Sequence, residues 1–164
     1  MISGECHYLW GRRYRLNLVE RSGKHEVKLG RGRLHLYVNT ATTLENKALV
    51  LSSYYRERLK ARIAELLSEM ESKIGVTAAD WGIKKMKTKW GSCNTQTKRI
   101  WLNLELAKKP PECLEYILVH ELVHLLERNH NERFKTYMDR LLPDWRERKV
   151  LLNSTPLAYS TWLY

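Results

Sequence analysis

Residues 116–126, YILVHELVHLL, are apolar at every position except His120, Glu121 and His124. A helix that is apolar around its whole circumference is buried on every side, so the rest of the chain must be packed around this one. Pro110-Pro111 supplies a tolerant first turn for it, and Glu112 and Glu115 suit the positive end of its dipole.

On such a helix, residues four apart lie on one face about 40° apart, so His120 and His124 aim two imidazoles at one point. Glu121, one step round, reaches the edge of that ligand sphere, where a carboxylate can accept a proton from metal-bound water without itself binding the metal. Two imidazoles and a carboxylate buried without partners would cost about 1–3 kcal/mol each. A bound cation removes that cost, and the HELVH spacing points to zinc.

A catalytic zinc usually has three protein ligands and one position left for water. His130 is the leading third candidate. On an unbroken helix it would lie about 120° from His124 in the wrong sense, so the spacing predicts a chain break between them. Asn129 tolerates the left-handed conformation that ends helices and is expected to supply the break, with Arg128 at the negative end of the dipole. Glu127 and Glu147 are the rival ligands, the second on a separate downstream helix. Asn131 is expected to start a helix turning Phe134, Tyr137 or Met138, and Leu141 inward, before Leu142-Pro143-Asp144 leads into DWRERKVLL.

Elsewhere, Tyr14, Leu16 and Leu18 and then Leu34, Leu36 and Val38 alternate with polar neighbours around turns at Ser22-Gly23 and Gly30-Arg31-Gly32. They predict a β-rich part over 1–40. A long helix is predicted over 42–75: Thr42 and Glu45 have capping-box spacing, Leu51, Tyr55, Leu59, Ile63, Leu66, Met70 and Ile74 form a stripe, and Gly75 is the cap. Residues 83–104 read as two strands around a loop. Lys85, Lys87 and Lys89 would lie on one face of the first, and Trp90 and Cys93 serve as packing and turn residues. The expectation is an α+β fold in one domain, 1–164, with a small antiparallel N-terminal sheet, the long helix, a second hairpin or sheet portion, and a metal-site core over 83–152 that ends in C-terminal helices.

Cys6, Cys93 and Cys113 form no CxxC pair, which favours a reducing, cytoplasmic setting over a disulfide framework. No apolar run of membrane-spanning length is present, and MISGECHYLW does not read as a secretory signal. A net charge of +11 admits a nucleic-acid or nucleotide partner, but the charge is dispersed and no nucleic-acid reading motif accompanies it. Nothing in the sequence assigns an oligomeric state.

Taken together, KMKTKWGSC, IWLNLELAKKPPECLEYILVHELVHL, NHNERF and LPDWRERK resemble the YgjP-like metallopeptidase family, related to the SprT-like proteases, from LWGRRYRLNL to about Leu152. The resemblance implies a zincin-like fold, zinc ligands at His120, His124 and His130, and Glu121 as general base. The third-histidine spacing equals that of metzincins. However, Glu127 stands where their glycine would be, and Met138 comes too soon to make their Met-turn.

The expected activity is peptide-bond hydrolysis by zinc-activated water, acting on a peptide or protein substrate. The strand Lys85–Trp90 or Ile100–Leu104 could pair with the substrate, and Tyr116, Tyr137 and Arg133 are candidates for stabilising the oxyanion. The alternatives are a metal-dependent nucleotide (phosphoanhydride) hydrolase, for which no glycine-rich phosphate loop is found, and a basic nucleic-acid-associated module with structural, four-ligand zinc.

Overall fold

The protein is described by a computed structural model covering residues 1–154; the stretch TPLAYSTWLY, and with it the end of the expected 1–164 domain, lies outside the described residues. Four strands open the chain: β1 (Cys6–Leu9), β2 (Arg12–Glu20), β3 (Glu26–Leu29) and β4 (Arg33–Val38), in the spatial order β1-β2-β4-β3. The sheet is mixed, which corrects the antiparallel expectation: β1–β2 and β3–β4 are antiparallel, but β2 and β4 pair in parallel, Leu16 opposite Leu34 and Leu18 opposite Leu36. The turn at Ser22-Gly23 therefore carries the chain past the position that β4 later fills. Burial explains the order. Leu34, Leu36 and Val38 are shut away from solvent and take the interior position, whereas β3 keeps Leu29 exposed at the edge.

A two-residue turn, Trp10-Gly11, closes the first hairpin with φ of 51° and 79°. Its tip docks on later chain: Trp10 and Gly11 donate their amides to the carbonyls of Ala107 and Lys108 at 2.8 and 3.1 Å. A Cβ on Gly11 would stand 2.9 Å from Pro110 Cγ, so this glycine permits the close approach to the start of the buried helix.

Helix α1 (Leu44–Ile74) buries the expected stripe from Leu51 to Met70 and ends at left-handed Gly75. Its cap is Thr43, not Thr42: the Thr43 hydroxyl accepts from the Asn46 amide at 3.1 Å. A second sheet follows, β5 (Asp80–Lys84), β6 (Gly91–Asn94) and β7 (Arg99–Asn103), ordered β5-β7-β6 with β5 parallel and β6 antiparallel to β7. A 3₁₀ segment, Leu104–Lys108, leads into α2 (Pro111–Val123), then α3 (Glu132–Leu141) and α4 (Trp145–Ser154). Helix α2 packs against α1, α3, α4, β6 and β7, and Ile117, Leu118, Val119, Leu122 and Val123 are all fully enclosed. Among the described residues no helix is long and apolar enough to cross a membrane.

Residues 85–90 were expected to be a strand and are not one. Asn103, fully buried, holds them instead. Its Nδ2 donates to the carbonyls of Met86 (3.1 Å) and Lys89 (2.7 Å), while its Oδ1 accepts from the Glu105 amide at 3.1 Å. One side-chain amide thus replaces the ladder of a strand and delivers Trp90-Gly91 to α2. Asn103→Ala leaves these backbone groups unsatisfied in the interior and is expected to cost about 2–4 kcal/mol in denaturant unfolding; a loss below about 1 kcal/mol would contradict that role.

Candidate metal centre

The buried helix bears His120 and Glu121, each 1% exposed, one turn before its end. That end comes earlier than expected. Helix α2 caps at His124, and the next amides bond three residues back, Leu125 to Leu122 and Leu126 to Val123, at 3.0 and 2.8 Å. Asn129 does not take the left-handed conformation: among the described residues the non-glycine positive φ angles belong to Trp10 and Lys98. The carboxylate of Glu127 organises the reversal instead, Oε1 accepting from the Asn129 amide and from Asn131 Nδ2, both at 3.2 Å. Glu127 is therefore a brace for the loop rather than a member of the ligand set. Asn131 caps α3 as expected, accepting from the Phe134 amide at 3.0 Å.

The loop brings His130 back over the helix. Its Nε2 lies 3.2 Å from His120 Nε2 and 2.9 Å from His124 Nε2, and the candidate ligand atoms of the three all fall within 4.8 Å of one another. His124 Nδ1 is 3.2 Å from the Glu127 carbonyl. A proton on Nδ1 donated there leaves the Nε2 lone pair facing the other two rings. Phe134 sits against all three imidazoles, with centroids 4.9, 4.8 and 5.0 Å from His120, His124 and His130.

Burial first, and the neighbouring histidines next, hold His120 well below the ordinary imidazole range; Lys149 on α4 adds to both His120 and His130. Burial also lowers His124, and it pushes His130 down to about 4. Burial thus favours three neutral imidazoles whose ring nitrogens converge. A tetrahedral ion with Zn–N bonds of about 2.0–2.1 Å sets its ligands about 3.3 Å apart, close to the spacing found. The donor set therefore fits a divalent metal. Glu147 is not in the group of described residues whose candidate ligand atoms gather here, which is His120, His124 and His130.

Glu121 is enclosed by burial, which pushes its carboxyl up to about 8, with Lys89 pulling weakly the other way. Its Oε2 is buried without a hydrogen-bond partner. Gly91 makes room for it: a Cβ there would stand 3.1 Å from both Cγ and Oε2 of Glu121 and 2.9 Å from Ile117 Cγ2. Within WGSC, which the sequence presents as a packing and turn element, the glycine leaves the room for the carboxylate, and Cys93 lies close enough to feel its charge. Trp90 is fully buried, and Cys93, whose thiol burial pushes up to about 12, stays protonated rather than nucleophilic.

A cavity of about 710 Å³ opens on Glu121, His124 and His130 between the loop after α2 and strand β6 with its turn. None of the three expected oxyanion donors lines it. Tyr116 is fully buried behind the site, edge-on to His120 and stacked on Trp145, while Arg133 and Tyr137 bond to each other at 3.2 Å along α3. Lys89 and Arg128 do line it. From sequence they looked like an edge-strand lysine and a dipole partner, and nothing local distinguished them. Of the two strands expected to meet substrate, residues 85–90 form none and β7 is flanked on both sides; β6 is the outer strand beside α2.

No curated protein matches the chain. Among solved structures, the metallopeptidase zymogen of Pyrococcus abyssi abylysin superposes with a TM-score of 0.54 at 20% identity, over 59% of this chain and 97% of that one, and so shares the fold. The metallopeptidase zymogen of Methanocaldococcus jannaschii jannalysin aligns at 26% identity with a TM-score of 0.48, over 54% of this chain and 90% of that one. The YgjP-like, metallopeptidase domain model matches residues 1–155, and the chain belongs to the YgjP-like metallopeptidase family.

Proposed function

We propose that this metallopeptidase is a zinc enzyme in which His120, His124 and His130 hold the ion and Glu121 is the general base. The single observation that carries the reading is the convergence of three imidazole Nε2 atoms beside a buried carboxylate oxygen that has no other partner. Bound zinc would supply Lewis acidity, lowering the pKa of a water molecule and polarising the scissile carbonyl.

The chain's own groups do the rest. The His124–Glu127 carbonyl contact and the Phe134 ring orient the imidazoles, and Glu121 takes the proton of the attacking water and can pass it to the leaving amine. The outer edge of β6 offers main-chain partners to an extended peptide alongside Glu121. A structural four-ligand site is disfavoured because three ligands, not four, come together among the described residues. A reducing cytoplasm remains the compartment best suited to three unpaired cysteines.

His130→Ala is expected to lower zinc affinity by at least 10²-fold, whereas Glu147→Ala leaves it unchanged; the reverse pattern in a chelator competition would assign the third ligand to Glu147. Glu121→Gln is expected to retain zinc and lose at least 10³-fold in peptide turnover. The same variant has a stability signature without metal. Glu121 stays protonated in the metal-free fold while the unfolded chain ionises it, so the wild-type loses stability as pH rises from about 4.5 towards 8. The neutral amide removes that loss, and metal-free Glu121→Gln should be about 2–4 kcal/mol more stable at pH 8 but not at pH 4. Equal unfolding midpoints at both pH values would contradict the enclosure of a titrating carboxylate.

A further inference from the structure

We propose that the cavity selects peptides with a carboxylate close to the scissile bond, read by Arg128, Lys89 and Arg99. The inference rests on the metallopeptidase reading and adds the substrate class to it. The three cations come from separate segments: Arg128 from the loop after α2, Lys89 from the strap before β6, and Arg99 from β7. They share the cavity with a single acidic side chain, Glu121, which is enclosed in the protein and committed to the reaction.

Arg99 is held in place rather than free to swing. Its Nη1 donates to Asp80, its partner across the β5–β7 ladder, at 2.6 Å, and its guanidinium stacks 4.4 Å from the Trp101 centroid. Lys84 Nζ is a second cation 4.4 Å from the same ring. Gly82 lets the ring lie against β5, where a Cβ would stand 2.5 Å from Trp101 Cζ3. Among the described residues Arg99 is the one of the three cavity cations that takes part in an ion pair. Arg128 and Lys89 line the cavity without such a pair, and the charge of Lys89 is also felt by Glu121. Cations lining one open cleft add their fields there, more than the same charges spread over separate faces would.

A carboxylate on the substrate relieves their mutual repulsion, and a basic side chain adds to it. The outer β6 edge beside these cations favours an extended chain as the anion's carrier, and no glycine-rich phosphate loop is present.

The test is cut-site profiling of the zinc-loaded protein on a mixed peptide library, each sequence present with a free and an amidated C-terminus. Asp or Glu should be favoured over Lys or Arg on the order of tenfold at one or two positions beside the cut, and the preference should shrink in high salt. Arg128→Glu should reduce or reverse the ratio of acidic to basic cut sites; Arg128→Gln and Lys89→Gln should each reduce it, and they serve if the reversal does not fold. A preference that survives amidation assigns the cations to an acidic side chain, and one confined to free termini assigns them to the terminal carboxylate; both support the proposal. Cleavage with no charge preference, or with a basic one, overturns it and leaves the peptidase reading standing. Cleavage of no peptide, or hydrolysis confined to a nucleoside triphosphate panel, overturns both.

Discussion

Polar groups inside an apolar helix are the constraint from which this architecture follows. Helix α2 is buried on every side, yet it carries two imidazoles and a carboxylate along one stretch of surface. Taking them out of water is costly unless a cation binds them, and ionising them without one is costlier still. Burial accordingly moves the imidazoles and the carboxyl towards their neutral forms. A divalent ion held by the imidazoles would reverse this balance, using the lone pairs of the first and favouring the charge of the second.

The supports of the site are small and local. Glu127 turns the chain after α2 so that His130 faces back, Phe134 fills the space against all three rings, and Gly91 leaves the volume that Glu121 occupies. Asn103 sets the strap that carries Gly91 there, and the first hairpin braces the start of α2 through Gly11 and Pro110. The N-terminal sheet thus contributes to the position of a centre it does not line.

Periodicity revealed what depends on which face a residue occupies. The stripe of α1, the all-round burial of α2 and the inward residues of β4 are each written in spacing, and the convergence of His120, His124 and His130 follows once a chain break is required. Features set by distant partners were not legible. Alternation tells which side of a strand is buried but not which strand lies beside it, so the parallel β2–β4 pairing was missed. The alternating lysines at 85, 87 and 89 looked like a strand because the bonds that make them a strap come from Asn103, many residues later. The break before His130 was foreseen, but its cause was assigned to a backbone preference of Asn129 when a Glu127 side chain does the work. Lys89 and Arg128 became visible as cavity cations only when three segments met.

The central claim is that three imidazoles hold one ion and leave a coordination position open to solvent. Zinc K-edge X-ray absorption on the stoichiometrically loaded protein measures this directly. The account predicts three imidazole nitrogens and one further light atom from solvent, all at about 2.0–2.1 Å. A sulfur scatterer near 2.3 Å, or a fourth imidazole closing the shell, would contradict it.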